Sequence, residues 1–226
     1  MQDFRDAFRL SIPVLGAYWF LGVTYGLLAA GMGYPLWVPV AMAMFIYSGS
    51  VEFLALTILV GAFNPIAAFA VAFLVGARHL FYGISMLDRF RGAGWRKPFL
   101  IFWMSDETFA INYSQQGSFK RQLWVSVLDY AYWISGGIMG FGLAALIGSE
   151  AMQSLEGLDF VVTAMFVSIF MDDYLRNPQT HSSAWLGILS TACCLAVFGK
   201  DNFIIPSMVC ILAVLYFKYR KEVKRS

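Results

Sequence analysis

Eight apolar runs divide this sequence: roughly 11–30, 36–60, 65–86, 98–114, 123–148, 158–175, 183–199 and 203–219. A helix that crosses the hydrocarbon core of a bilayer needs about 20 mainly apolar residues. Seven of the runs read as such spans. The run 11–30 is long for the apolar core of a cleaved leader and is expected to be the first span. The fourth run is shorter and carries Asp106 and Glu107 near its centre. Two adjacent carboxylates facing lipid would cost several kcal/mol, so this segment is expected to be re-entrant or buried within the bundle.

Composition excludes a water-soluble fold. Charged residues make up 13% of the chain and hydrophobic residues 59%, with a mean hydropathy of +0.65. A soluble domain carries roughly 25% charged residues, and one with half that share would expose large apolar patches and aggregate. The net charge of +2 comes from basic residues at the ends of apolar runs, where a bilayer protein places them, and implies no nucleic-acid partner. Cys193, Cys194 and Cys210 lie inside apolar runs without metal-ligand spacing and read as small packing residues. No metal or cofactor is expected.

The chain repeats itself. Ala17-Tyr18-Trp19 with Gly22 and Gly26 recurs as Ala131-Tyr132-Trp133 with Gly136 and Gly140. Ala43-Met44-Phe45-Ile46 is echoed by Ala164-Met165-Phe166-Val167. The expected architecture is an all-α membrane protein of about seven transmembrane helices. It forms one polytopic domain of two related three-helix repeats, about 10–88 and 122–200, with the polar segment between them. In each copy the GxxxG spacing puts two glycines on one helix face, where they let another helix approach closely.

The basic residues orient this scheme. Arg89, Arg91, Arg96 and Lys97 crowd the loop 88–97, and five more cations lie in the tail from Lys218. With the start of the chain outside and 98–114 re-entrant, that loop and the tail fall in the cytoplasm. The repeats are then inverted, a common transporter plan. Eight full spans would instead make the repeats parallel and put the loop outside.

The scarce polar residues of the runs form the candidate site. Tyr47-Ser48-Gly49-Ser50 interrupts the second run, with Glu52 just beyond. A helix broken there exposes the positive start of a half-helix, suited to a substrate carboxylate. Glu52, at mid-run, needs a partner or water; a structural ion pair is the alternative. Arg78 cannot shed its charge, so it snorkels or pairs with Glu52, Asp106 or Glu107. His79 has the chemistry of a proton shuttle, or of a structural hydrogen bond. Asp106-Glu107 implies a watery cavity, a cation or protonation. Asp129 reads as interfacial, and Asp172-Asp173 as the end of a span.

Taken in order, Tyr47-Ser48-Gly49-Ser50 with Glu52-Phe53, Asn64-Pro65, Gly76-Ala77-Arg78-His79-Leu80-Phe81-Tyr82 and Ser105-Asp106-Glu107-Thr108-Phe109 resemble the AzlC family over nearly the whole chain. Two positions depart from the family's usual pattern: Glu52 stands where glutamine is common, and Gly76-Ala77 where asparagine-leucine is common. The resemblance implies the large subunit of a two-component exporter of branched-chain amino acids in the bacterial cytoplasmic membrane. It implies a small hydrophobic AzlD-like partner and transport driven by an ion gradient.

The residues agree in kind with that implication. A zwitterion needs a positive partner, for which the half-helix at Tyr47–Ser50 and Arg78 serve, and a negative one, for which Glu52, Asp106 or Glu107 serve. Two rivals are an intramembrane hydrolase using Ser48 or Ser50 with His79, and a channel or assembly subunit without its own substrate site. Arg78 beside His79 disfavours the imidazolium that the hydrolase would form.

Overall fold

The computed structural model describes residues 2–61, 64–114, 117–147 and 181–223, together with scattered residues between 163 and 178. Among the described residues the fold is helical throughout, with no strand. Among the described residues, four helices are long and apolar enough to cross a membrane: Gln2–Gly31, Pro65–Met86, Phe119–Ile147 and His181–Gly199. The chain separates into two compact units. The first, residues 1–63 and 72–162, holds the candidate site.

Helices α1 (Gln2–Gly31) and α7 (Phe119–Ile147) are the most extensively packed pair of the first unit. Glycines bring their backbones together. A Cβ on Gly22 would lie 3.0 Å from the Trp133 carbonyl oxygen and 3.1 Å from Gly136 Cα. On Gly26 it would overlap the Gly137 carbonyl oxygen, and on Gly140 that of Val23.

The contacts also give direction. Asp3 meets Ser118, Phe4 meets Trp124, Ser11 meets Tyr132 and Trp19 meets Ser135. Partner numbers rise together, so α1 and α7 run parallel. The expectation that the two AYWxxGxxxG copies belong to inverted halves is therefore corrected. GxxxG spacing fixes how closely two helices approach and leaves their relative direction open.

The second apolar run is not one span. It breaks into α2 (Trp37–Phe45) and α3 (Gly49–Val60), with Tyr47 at φ 47° and Ser48 extended between them. At 1.5 Å per residue, these helices are about 14 and 18 Å long, each roughly half the hydrocarbon thickness. Going in, α2 offers the Pro39 carbonyl to Tyr25 and the Met44 carbonyl to Tyr130. Coming back, α3 packs Gly49 on the Trp133 ring and Phe53 on Tyr25. Its Leu56 carbonyl then accepts Tyr34, in the turn where α2 began. The run doubles back on itself.

The fourth run does the same from the other end. It consists of α5 (Lys97–Phe102) and α6 (Asp106–Ser114), broken at Trp103–Ser105. Arg89, in the loop before α5, donates to the Asn112 and Tyr113 carbonyls at the end of α6, at 3.1 and 2.6 Å. Entry and exit therefore lie together. From residue 72 onward, α4 (Pro65–Met86) passes Ile101 at Gly83 and ends with Met86 in a cluster with Phe90, Ala93, Leu100 and Met104. Phe119 and Leu123 of α7 pack against that cluster. The start of α1, the basic loop, the exit of α6 and the start of α7 thus share one end of this unit.

Seven continuous spans are not what the described residues contain. Because the second run is a hairpin, the start of α1 and the loop of Arg89, Arg91, Arg96 and Lys97 fall on one side, where both sequence-based topologies had put them on opposite sides. The inverted relation present is a different one: two half-depth hairpins entering from opposite ends. In the second unit, α8 (His181–Asn202) is interrupted by the left-handed Gly199 (φ 71°) and pairs with α9 (Ile204–Val223), where Lys218 reaches Ser182 and Ser183. Asp172, Asp173, Met165 and Phe166 lie outside the described residues.

Candidate functional site

The breaks of the two hairpins meet on α7. Tyr47 and Trp103 pack on the same ring, Tyr130, at centroid distances of 5.0 and 5.3 Å. Two half-helices, α3 and α6, therefore begin in the interior, facing α1, α4 and α7. A broken helix leaves its first N–H groups without intrahelical partners, and lipid offers none, so the sequence must supply acceptors locally.

It supplies two different caps. At α3 the Ser48 N–H donates to Glu52 Oε1 at 3.0 Å, so the first acidic residue reaches back over its own turn. Trp133 Nε1 bridges both Glu52 oxygens at 3.1 and 3.0 Å, and Glu52 is wholly buried. At α6 the Ser105 hydroxyl accepts the Thr108 N–H at 3.1 Å, as an N-cap serine does. Asp106 and Glu107 occupy the first turn, where carboxylates favour the helix dipole.

The predicted site residues divide into three groups. Arg78, Asp106 and Ser50 come together: Arg78 Nη1 contacts Asp106 Oδ2 at 2.6 Å, and Nη2 donates to Ser50 at 2.9 Å. This pair is a third accessible, with 28% of the arginine and 36% of the aspartate side chain exposed. Arg78 thus has a carboxylate partner, as one of the two readings held. Glu52, Ser48 and Gly49 form a second group around Trp133; a Cβ on Gly49 would press to 2.9 Å from the indole. Glu107 forms a third, accepting the Tyr18 hydroxyl at 2.6 Å.

His79 lies near Arg78 and Asp106 but makes no hydrogen bond to them among the described residues. Its Nδ1 faces the Gly76 carbonyl of its own helix at 3.3 Å, and its ring lies edge-on to Tyr82. Ser50 is engaged by Arg78, so a serine–histidine pair is not assembled among the described residues. The start of α3 also differs from the bare anion site expected of it, because Glu52 already takes the Ser48 N–H.

Sequence reasoning missed Tyr18, Trp133, Ser105, Thr108 and the depth of Asp129. Asp129 is fully buried rather than interfacial, and its Oδ2 accepts from Thr108 at 2.7 Å. The available signal was the repeat itself, whose aromatic positions carry O–H and N–H donors inside an apolar run. Several buried polar atoms around the meeting point have no hydrogen-bond partner among the described residues: Tyr47 Oη, Ser48 Oγ, Trp103 Nε1, Arg78 Nε, Asp106 Oδ1 and Asp129 Oδ1. Native interiors rarely leave such groups unpaired, and a polar ligand gains hydrogen bonds there.

The family model described as AzlC protein matches residues 13–147, which include every residue of this site. The chain belongs to the AzlC family. It is 42% identical over 219 residues to the branched-chain amino acid transport protein AzlC of Bacillus subtilis, covering 94% of this chain and 84% of that protein. An uncharacterised membrane protein of Helicobacter pylori J99 is 36% identical, with 98% of each chain covered. The inner membrane protein YgaZ of Escherichia coli is 23% identical over 93% of this chain and 85% of its own length. No solved structure matches. This AzlC-family chain is a membrane protein, and its apolar helices and half-depth hairpins are the elements of that membrane fold.

Proposed function

We propose that this chain is the transporting subunit of a secondary exporter of branched-chain or other apolar amino acids. It acts with a small AzlD-like membrane subunit in the bacterial cytoplasmic membrane. The observation that carries the proposal is the Arg78–Asp106 pair at the meeting point of the two hairpins. Opposite charges of a zwitterion match the two halves of such a pair. The substrate carboxylate replaces Asp106 on the guanidinium, while its ammonium takes the carboxylate that Arg78 releases. Ser50 keeps the guanidinium oriented during the exchange. Val51, beside Gly76, and the stacked Tyr82 and Phe109 provide apolar surface for the side chain.

The other site residues take supporting roles. Glu52 and Trp133 hold the start of α3, and Glu107 ties α6 to Tyr18 of α1. Arg5, Arg9, Arg89, Arg91, Arg96, Lys97, Lys120 and Arg121 gather at one end, which the positive-inside rule makes cytoplasmic. The relative from Bacillus subtilis supports the substrate class through its name. Transport is coupled to an ion gradient, with a carboxylate of the site region holding the ion.

Cells loaded with a labelled dipeptide of leucine test this reading. Export is expected to fall in Asp106→Asn, Glu107→Gln and Glu52→Gln variants. Unchanged export in all three would overturn the site assignment.

A further inference from the structure

Among the described residues of the first unit, two carboxylates are fully buried, Glu52 and Asp129. Neither has a cation within ion-pair distance among the described residues. Their partners differ in a way that decides what each can do. Glu52 is held by the Ser48 N–H and the Trp133 N–H. Neither of these can accept a hydrogen bond, so a proton on Glu52 would sit on Oε2 at the expense of one arm of the Trp133 bond, with Ser48 and Trp133 still donating to Oε1 and no hydrogen-bond chain to reverse.

Among the described residues, the Asp129 side chain is bonded through a hydroxyl, that of Thr108. Ser105 donates to Thr108 Oγ1 at 2.9 Å, and Thr108 donates to Asp129 Oδ2 at 2.7 Å. A hydroxyl donates and accepts equally well. When Asp129 gains a proton, it donates to Thr108 and the chain reverses without losing a bond. Oδ1, which has no partner among the described residues, is free to carry the second role. Tyr47 Oη is buried and likewise without a partner, and its neighbourhood includes Asp129, Ser105 and Thr108.

We infer that Asp129 is the coupling-proton site of this transporter, and that the Thr108–Ser105 hydroxyl chain transmits its occupancy to the substrate pair. This rests on the transport reading above and places the proton on α7, outside the carboxylates that touch substrate. The groups facing Asp129 are Glu107 and Thr108 of α6, with Ser105 and Tyr47 at the two breaks beside them. The link to substrate is short. Ser105 caps α6, and the next residue is Asp106. Reversal of the chain changes the hydrogen that Ser105 offers and so the hold on the first turn of α6. In an exporter of this kind the proton enters as the amino acid leaves, so Asp129 accepts its proton when Arg78 and Asp106 close on each other again.

The test uses proteoliposomes of the chain co-expressed with its small subunit, with the membrane potential clamped by potassium and valinomycin. Two readouts are taken: leucine counterflow without a gradient, and leucine accumulation into vesicles made acidic inside. One pH unit gives up to about tenfold accumulation for one coupled proton. Wild type is expected to show both. Asp129→Asn, which still accepts from Thr108, is expected to keep counterflow and lose accumulation. Thr108→Val, which breaks the relay but keeps the carboxylate, is expected to show reduced accumulation with counterflow intact, and carries the test if the asparagine variant does not fold.

If wild type exchanges leucine but does not accumulate it, or if a folded Asp129→Asn variant accumulates it like wild type or fails to exchange it, this inference is overturned and the transport reading stands. Full accumulation by Thr108→Val also overturns it. Absence of counterflow by wild type for every apolar amino acid overturns the transport reading and this inference together.

Discussion

Arg78 contacts Asp106 at 2.6 Å while its other terminal nitrogen holds Ser50 at 2.9 Å, so one guanidinium ties α4 to the starts of both half-helices. A planar fork can bridge two such partners; a lysine ammonium is a single point charge. Arg78→Lys is expected to raise the half-saturation for leucine counterflow by at least about tenfold, the equivalent of roughly 1.4 kcal/mol. Ser50→Ala removes one of the two anchors and is expected to give a smaller change in the same direction.

Close approach of α1 and α7 depends on glycines whose neighbours are backbone atoms that cannot move aside. Gly26→Ala and Gly140→Ala each drive a methyl into a carbonyl of the facing helix. Each is expected to lower stability by about 1–3 kcal/mol, the usual range for overpacking, read as a lower midpoint of thermal aggregation in detergent. Gly142→Ala, with open space around its Cβ, is the matched control and is expected to leave the midpoint unchanged.

Trp133 is the side-chain donor that bridges both oxygens of Glu52. Trp133→Phe keeps most of the packing and removes that N–H. Removing a hydrogen bond from a buried carboxylate costs about 1.5–3 kcal/mol. The variant is expected to be strongly destabilised. Adding Glu52→Gln is expected to recover part of the loss, because the amide oxygen still accepts from Ser48 and no charge is stranded. Additive effects of the two changes in a double-mutant cycle would refute the direct coupling.

The hairpin shape of residues 37–60 has a direct chemical signature. With the native cysteines replaced by serine, single cysteines at the exposed Pro35 and Gly61 are expected to react with an impermeant maleimide from one face of the membrane. Cysteines at Gln2 and Arg91 are expected to react from the other face. Labelling of positions 35 and 61 from opposite faces would restore a single span across this run.

Local chemistry decided which parts of this architecture were legible in the sequence. The break at Tyr47–Ser50 was visible because serine and glycine interrupt an apolar run, and the polar segment at 98–114 because two carboxylates cannot face lipid. Direction was not legible. The two AYWxxGxxxG copies announce a close helix pair, but their parallel packing depends on the second run turning back, and that turn rests on hydrogen bonds between distant residues such as Tyr34 and Leu56. In the site, charge was easy to find and partners were not. Arg78 had three candidate carboxylates, and nothing local chose Asp106. Trp133 and Tyr18 stood out only as members of the repeat, because their polar atoms count for little in an apolar run. Asp129 read as interfacial because its position near the start of a run hid its depth.

The most direct measurement is leucine counterflow by purified protein in proteoliposomes, for wild type and for Arg78→Gln and Asp106→Asn, challenged with leucine analogues that lack either the amine or the carboxylate. Wild-type exchange is expected to be blocked by apolar amino acids and by neither analogue, and both variants are expected to lose exchange while remaining folded. Leucine exchange at the wild-type rate by the two variants would contradict recognition of the zwitterion by Arg78 and Asp106.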